Sequence, residues 1–178
     1  MFNEREEKII LNRMESNQIR DVKLSDAEAI AKIYNPYILN TVITFEETPV
    51  TSEDIKTRIE NVGKLGLPYL VMEENEQLIG YAYAGTWRTR AAYKHTVETS
   101  VYLQQGLTGK GLGTTLYKAL IDRLKSLDIH VALGGITLPN PVSVGLHEKL
   151  GFKKVAHFNE VGYKFGRWLD VGFWQLNL

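Results

Sequence analysis

Glycines at positions 109, 111 and 113 separate a strand-like segment from a segment with helical periodicity. Glycine allows the backbone to approach a ligand closely, and free amides at the start of a helix face an anion. A diphosphate is the natural ligand of such a nest of amides. The loop is not a Walker A motif, because Gly111 follows Lys110, and GxGxG is not the GxGxxG of dinucleotide-binding folds. A glycine-rich turn without a ligand is the alternative interpretation.

Glu98 is a candidate for acid–base chemistry, because it lies in the otherwise apolar segment Thr96–Leu103 (TVETSVYL). Burial would raise the pKa of its carboxyl toward a value at which the group can accept a proton near neutral pH. The alternative is a carboxylate on the solvated face of a strand. His147 is a second candidate, since an imidazole can donate or accept a proton near neutral pH. A structural or helix-capping role is the alternative for this histidine.

A cationic and aromatic cluster precedes the strand that carries Glu98. Its members are Arg88, Arg90, Tyr93, Lys94 and His95. A guanidinium pairs bidentately with a carboxylate, so the cluster would suit a small molecule with an α-carboxylate and a polar or anionic end. A basic run on the surface is the alternative interpretation.

The composition excludes several other chemistries. The chain has 178 residues, and its 21 Lys and Arg balance 21 Asp and Glu, which argues against a dedicated nucleic-acid binder. Because there is no cysteine, disulfides, Cys-ligated metals and cysteine nucleophiles are excluded. The four histidines show no HExxH spacing, so no metal centre is predicted. A charged N-terminal segment and the lack of an apolar run of ~18 residues predict a cytoplasmic protein without a membrane partner.

The apolar periodicity predicts one domain of residues 18–178 after an N-terminal extension of residues 1–17. Capping boxes at Ser25–Glu28 and Thr51–Asp54 predict the starts of two helices. Strands and two further helices then alternate, which predicts a mixed α/β sheet of the α+β type rather than a doubly wound parallel one. The later predicted strands are Thr96–Leu103, Val131–Leu138, Lys153–Phe158 and Trp168–Leu176.

The order of these motifs resembles the GNAT superfamily of acetyl-CoA-dependent N-acetyltransferases. The motifs are a strand, the loop Thr108–Gly113, a helix, a second strand, Asn140 and a helix ending in a Gly-Phe pair. The resemblance implies a mixed, mostly antiparallel, twisted sheet with splayed middle strands and about four flanking helices. It also implies acetyl-CoA as co-substrate, with its diphosphate on the loop amides and its pantetheine arm between the strands Glu98–Leu103 and Val131–Leu138. Thr108 departs from the superfamily pattern, which usually has Gln or Arg there.

Four segments narrow the resemblance to the phosphinothricin acetyltransferase subfamily, which includes acetyltransferases for methionine sulfone and methionine sulfoximine. They are TWRTRAAYKHTVETSVY (86–102), ITLPNPVS (136–143), LHEKLGF (146–152) and VGYKFGRWLDVGFWQLNL (161–178). The resemblance implies Glu98 as the base, acting through a water, and His147 as an acid for the departing thiolate or as a base. It further implies a homodimer and a substrate pocket of Phe45, Arg90 and Tyr93. The terminal aromatics Trp168, Phe173 and Trp174 are expected in the core or a subunit interface.

The resemblance places the cofactor-binding residues in three segments. They are Val101, Tyr102, Leu103, Thr108, Gly109, Lys110, Gly111, Leu112, Gly113, Thr114, Asn140 and Lys149. The amides of Val101 and Leu103 would polarise the thioester carbonyl if the strand bulges there. Because the chain has no cysteine and no GxSxG elbow, the amine is expected to attack acetyl-CoA directly in a ternary complex.

The predicted reaction is acetylation of the α-amine of a small amino acid or analogue, such as phosphinothricin or methionine sulfone. Acetylation of phosphinothricin would confer herbicide resistance. The alternatives are acetylation of a protein N-terminus or a polyamine, and a non-catalytic acyl-CoA-binding module. A polyamine would call for an acidic pocket, whereas the cluster at residues 88–95 is basic. The presence of both Glu98 and His147 argues against the non-catalytic module.

Overall fold

The computed structural model describes residues 17–107 and 109–178. The predicted N-terminal extension, apart from residue 17, and Thr108 therefore lie outside the described residues. The helices are α1 (Ala27–Asn40), α2 (Ser52–Lys64), α3 (Leu112–Lys125) and α4 (Pro141–Lys149). The strands are β1 (Asn17–Asp21), β2 (Tyr69–Glu74), β3 (Gln77–Thr86), β4 (Thr96–Leu103), β5 (Val131–Leu138), β6 (Lys153–Lys164) and β7 (Arg167–Asn177). None of the helices in this part of the chain is long and apolar enough to cross a membrane.

The strands form one sheet in the order β1-β2-β3-β4-β5-β7-β6. Among the strands in the described residues, only β4 and β5 are parallel to each other, and all other neighbours are antiparallel. The β4–β5 pairing stops at Glu98 and Leu133, so the remainders of these two strands diverge. The prediction of a mixed, mostly antiparallel sheet with splayed middle strands and four helices is confirmed.

Helices cover both faces of the sheet, and this explains why four successive residues of β2 are buried. Tyr69 and Val71 pack with α1 and α2, while Leu70 and Met72 pack with α3 on the other face. Side chains alternate between the faces of a strand, so a strand that is covered on both sides shows a continuous apolar run.

One of the two predicted capping boxes is wrong. The Asp26 carboxylate, rather than Ser25 and Glu28, accepts the Lys23 amide at 2.7 Å at this end of the helix. Arg20 of β1 holds Asp26 there through two hydrogen bonds of 2.8 and 2.9 Å, a tertiary contact that local sequence does not reveal. The Thr51–Asp54 box is confirmed, since each side chain accepts the other residue's backbone amide, at 3.1 and 2.8 Å.

The last hairpin is longer than predicted, because β6 continues to Lys164 and β7 begins at Arg167. The pairing register shifts twice along β6, and Glu160 has a positive φ of 50° within the second shift. These bulges break the alternation of apolar and polar residues on which the prediction of strand length rests. The three terminal aromatics differ in burial: Trp174 is buried, Phe173 is half-buried, and Trp168 is 60% exposed.

Candidate active site

A cleft of about 480 Å³ opens where β4 and β5 diverge. Its walls come from β4, the glycine-rich loop, the start of α3 and one side of α4. Ten of the predicted cofactor-binding residues line it: Val101, Tyr102, Leu103, Gly109, Gly111, Leu112, Gly113, Thr114, Asn140 and Lys149. Lys110 is not among the lining residues, and Thr108 lies outside the described chain.

The glycine-rich loop takes a conformation that favours glycine. Gly109 and Gly111 both have a φ of 81°, in the left-handed region where other residues are strained. Gly111 caps α3 with no side chain of its own, and its carbonyl accepts the Thr115 amide at 3.0 Å. The first amides of α3 are therefore left facing the cleft. Such a helix end suits an anion.

The amides of Val101 and Leu103 reach the cleft without a bulge in β4. The β3–β4 register runs without a shift from Gly80↔Leu103 to Thr86↔Val97. The Gln104 amide donates to the Ile79 carbonyl at 2.8 Å, so alternation turns the amides of Leu103 and Val101 away from β3. Because β5 has already diverged, these amides face the cleft. A bulge was the condition attached to this role, and it is not needed, because strand divergence supplies the same exposure.

Glu98 is the last residue of β4 that pairs with β5, and its side chain lies over β5. A Cβ added to Gly135 would lie 3.0 Å from Glu98 Oε1 and 3.3 Å from the ring of Phe173. The side chain therefore rests on a glycine that the ring of Phe173 also approaches. Burial raises the pKa of this carboxyl above its ordinary value, in the direction that a base for neutral pH requires.

His147 of α4 is only 5% exposed and lies over Gly134, the residue next to Gly135. A Cβ on Gly134 would lie 2.3 Å from His147 Nε2. His147 is not among the residues that line the cleft, although its helix neighbours Ser143 and Leu146 are. Burial lowers the pKa of its imidazole, and the Ser143 carbonyl opposes this effect.

A buried chain of hydrogen bonds links His147 to β4 and β5. His147 Nδ1 lies 2.8 Å from the Ser143 carbonyl oxygen, and Nε2 lies 3.1 Å from the Tyr117 hydroxyl. The Tyr117 oxygen is 2.6 Å from Thr99 Oγ1, which donates to the Leu133 carbonyl at 2.9 Å. Sequence reasoning missed Tyr117 and Thr99, which look like ordinary helix and strand residues.

The number of hydrogens available to these hydrogen bonds differs between the two protonation states of His147. A carbonyl only accepts, so the network assigns the Nδ1 hydrogen to the Ser143 contact and the Thr99 hydrogen to Leu133. The single hydroxyl hydrogen of Tyr117 then serves two contacts when the imidazole is neutral. A proton on Nε2 supplies the missing donor. Every hydrogen bond is therefore satisfied only when the imidazole is protonated, whereas burial opposes that charge and lowers the pKa of His147.

Glu98 and His147 lie on opposite faces of β5. Successive residues of a strand point to opposite faces, so Gly134 receives the imidazole and Gly135 receives the carboxylate. The two groups therefore act from different sides of the divergence and do not form a hydrogen-bonded pair. The Gly-Gly step in VALGGITL was a sequence signal for this arrangement, because glycine within a strand marks a close approach.

The three predicted substrate residues lie on two different loops. Phe45 belongs to the loop of residues 41–51 and packs against Gly162 of β6. Arg90 and Tyr93 belong to the β3–β4 loop, where the Tyr93 ring meets Trp87 edge-to-face at 5.2 Å. Their neighbour His95 bonds the Asp128 carbonyl through Nδ1 at 2.7 Å, which gives it a structural contact with the α3–β5 turn.

Several cleft residues were not predicted. They are Tyr37, Ile43, Leu107, Val142, Ser143, Gly145 and Leu146. The Tyr37 hydroxyl donates to the Leu103 carbonyl at 2.6 Å and so joins α1 to the mouth of the cleft. Asn140 caps α4 by accepting the Ser143 amide at 3.1 Å, as its position before Pro141 predicts. Within the described ranges, no group of three or more His, Asp or Glu could hold a metal ion.

The chain is similar to members of one known protein family. The family model described as an acetyltransferase (GNAT) domain matches residues 19–172. An L-methionine sulfoximine/L-methionine sulfone acetyltransferase from Pseudomonas aeruginosa is 40% identical over 92% of this chain and 95% of its own length.

Two solved structures are similar over most of the chain. An acetyltransferase from Salmonella typhimurium with its cofactor acetyl-CoA has a TM-score of 0.89 and 40% identity, covering 92% of this chain and 94% of its own. A GNAT superfamily phosphinothricin acetyltransferase from Sinorhizobium meliloti in complex with acetyl-CoA has a TM-score of 0.88 and 37% identity, covering 92% and 89%.

Proposed function

Because this chain belongs to the GNAT acetyltransferase family, we propose that it transfers the acetyl group of acetyl-CoA to the α-amine of a small amino acid or analogue. The observation that carries the proposal is the cleft at the divergence of β4 from β5, which joins the glycine-rich loop to the strand of Glu98. Beyond the divergence β4 offers backbone amides, and at its last position paired with β5 it offers a carboxylate of raised pKa.

The residues of the cleft suit acetyl-CoA, which would supply an activated thioester. The amides of residues 109–113 would bind its diphosphate, with Lys149 as a nearby cation. Val142 and Leu146 offer an apolar wall for the pantetheine arm, and Asn140 offers a polar group. The amides of Val101 and Leu103 would stabilise the negative charge that develops on the thioester oxygen.

Glu98 and His147 would carry out the proton transfers of the reaction. The amine of an amino acid is protonated at neutral pH, so it must lose a proton before it attacks. Glu98 would accept that proton through a water, and the neutral amine would attack the thioester carbon. As the C–N bond forms and the C–S bond breaks, His147 would donate a proton to the departing thiolate, and the nitrogen would release its extra proton to water. The domain of residues 18–178 would carry all of these groups.

The acceptor proposed for this chain is a small amino-acid analogue such as methionine sulfone, methionine sulfoximine or phosphinothricin. The names of the similar proteins support this choice. Arg90 would pair with the acceptor's α-carboxylate, while Tyr93 and Phe45 would form its walls. Acetylated phosphinothricin has a blocked amine, so herbicide resistance would follow where this acceptor is used. A cytoplasmic location, where acetyl-CoA is available, is part of the proposal.

A thiol-release assay with purified protein and acetyl-CoA tests the proposed function. The acceptors are methionine sulfone, methionine sulfoximine, phosphinothricin, spermidine and a peptide with a free N-terminus. Turnover with at least one of the first three, and much slower turnover with spermidine and the peptide, is the expected result. Turnover with spermidine or the peptide alone would contradict the acceptor class. Acetyl-CoA binding by calorimetry without any turnover would instead favour a non-catalytic module.

A homodimer built through the β6–β7 hairpin is the proposed assembly. The hairpin exposes six large apolar side chains, and clustered exposed apolar residues mark interaction surfaces. They are Val155, Phe158, Val161, Tyr163, Phe165 and Trp168. Light scattering during gel filtration is expected to give twice the 20.2 kDa mass of one chain, and Trp168→Glu is expected to reduce it. A single-chain mass for the unmodified protein would contradict the proposal.

A further inference from the structure

The loop of residues 41–51 connects the cleft to the outer hairpin of the sheet. Ile43 lines the cleft, and two residues later Phe45 packs on β6. The loop therefore lies between the proposed acetyl-CoA site and β6, on the side where Phe45 is proposed to wall the acceptor. Contacts that hold the loop of residues 41–51 in place therefore also hold Phe45 in place.

Gly162 of β6 leaves room for the Phe45 ring. A Cβ added to Gly162 would lie 2.2 Å from Phe45 Cζ and 2.6 and 2.7 Å from its two Cε atoms. Gly162 does not have a left-handed φ, so its backbone conformation alone does not call for glycine. The requirement is the close approach of the ring. Phe45 is still 40% exposed, so much of its ring remains available to a ligand.

Lys164 holds the same loop from the same strand. Residues two apart on a strand share a face, so Lys164 lies on the face of Gly162 that receives Phe45. Its side chain is 1% exposed, and its ammonium donates to the Thr44 carbonyl at 2.7 Å. Lysine is almost never fully buried unless it is paired, which makes this bond to the residue before Phe45 notable.

Helices α1 and α2 hold the other side of the loop. Tyr34 of α1 bonds Thr44 Oγ1 at 2.7 Å and Glu46 Oε1 at 2.8 Å. Arg58 of α2 binds both carboxylate oxygens of Glu46, each at 2.8 Å. The residues on either side of Phe45 are therefore fixed by the helices, while β6 fixes Thr44 and the ring itself.

From this arrangement we infer that Gly162 and Lys164 are positioning residues that set the place of Phe45 and thereby select the acceptor amine. The inference rests on the proposed function, since Phe45 acts on the acceptor only if the chain acetylates one. Gly162 sets how far the ring can settle toward the sheet, and Lys164 sets the position of the backbone that carries it. Neither residue contacts the reacting atoms.

A double-mutant cycle between Gly162→Ala and Phe45→Ala tests the inference. Gly162→Ala is expected to raise the KM for the acceptor about tenfold through displacement of the ring, with a much smaller change in the KM for acetyl-CoA. The same change is expected to lower Tm by about 3–9 °C, because a crowded contact is introduced. In the Phe45→Ala background, Gly162→Ala should change neither quantity further.

Two additional variants sharpen this test. Gly63→Ala is the matched control, because a Cβ at Gly63 meets nothing within 4 Å, and it should leave both KM values unchanged. Lys164→Met keeps the length of the side chain but removes its donor. It should raise the acceptor KM and speed hydrogen exchange in a peptide covering residues 41–51, with kcat less affected.

The outcomes separate this inference from the proposed function. Additive effects of Gly162→Ala and Phe45→Ala on acceptor KM and Tm would overturn the inference while leaving acetyl transfer intact. An unmodified protein without turnover on any acceptor would overturn the proposed function, and the Tm cycle would still measure the Gly162–Phe45 contact. A Gly162→Ala variant with unchanged acceptor KM would show that the ring does not define the acceptor site.

Discussion

Replacing Glu98 with glutamine is expected to lower kcat about 10²–10⁴-fold near neutral pH, the range that a positioned general base supplies. Glutamine keeps the shape of the side chain over Gly135 but cannot accept the proton. Acetyl-CoA binding should change little, because Glu98 is not among the residues that line the cleft. Steady-state kinetics with the best acceptor and calorimetry with acetyl-CoA measure the two quantities separately.

The pH dependence gives this prediction a second measurement. The base works only when deprotonated, so kcat should rise with pH through the pKa of Glu98, which burial places above its ordinary value of 4.5. In Glu98→Gln this limb of the profile should disappear. A profile with the same limb in both proteins would remove Glu98 from the mechanism.

Glu98→Gln should raise the stability of the protein at pH 7 while it lowers the activity. A carboxyl whose pKa is higher in the folded than in the unfolded protein favours folding below its unfolded pKa, and this contribution is lost as pH rises through the folded pKa. Glu98→Gln should therefore have a higher Tm than the unmodified protein at pH 7, and the difference should vanish in acid. Glu60→Gln, at an exposed position of α2, is the matched control and should show little difference at either pH.

Replacing Gly134 with alanine is expected to lower kcat about 10²-fold, the size of effect that a small misplacement of a reacting group produces. The new Cβ would lie 2.3 Å from His147 Nε2, so the imidazole must move. It has little room to do so, because the rings of Tyr117 and Phe152 both lie with centroids 5.1 Å away. The displacement would break the Nε2 contact with Tyr117 and move the imidazole from the position in which it would protonate the thiolate.

Stability measurements identify the cause of such a loss. Gly134→Ala should lower the free energy of unfolding by about 1–3 kcal/mol through overpacking. Adding His147→Ala removes the clash, so the double variant should regain part of that stability without regaining activity. Full activity in His147→Ala alone would exclude this histidine from proton transfer. Gly135→Ala provides a comparison with Gly134→Ala, because the new Cβ would meet Glu98 rather than His147, on the other face of β5.

Local patterns were sufficient for much of the fold. The predicted bounds of β4 and β5 agree with the structure, since both strands are rich in β-branched residues and end at clear turns. The Thr51 cap was also predicted, because its partner Asp54 is three residues away. The Ser25 cap failed for the converse reason: Asp26 is fixed by Arg20 of another element.

In the candidate site, too, features formed by neighbouring residues were predicted and features formed by distant residues were not. The glycine-rich loop was evident because it makes its nest from adjacent residues, and the capping role of Asn140 requires only the amide of Ser143. The hydrogen-bond chain through Tyr117 and Thr99 was not evident, because its members come from α3, β4 and α4. Nothing in the neighbourhood of Tyr117 along the chain distinguishes it from a core aromatic residue.

The sequence alone determined the family resemblance, the glycine loop at the start of α3, and a carboxylate within an apolar strand. These features depend on residue type and on spacings of a few positions. The tertiary structure decided that Glu98 and His147 lie on opposite faces of β5, and that Phe45 rests on Gly162. Those arrangements depend on which distant segments pack together. Because glycine has no side chain, the sequence around it does not indicate which distant ring packs against it.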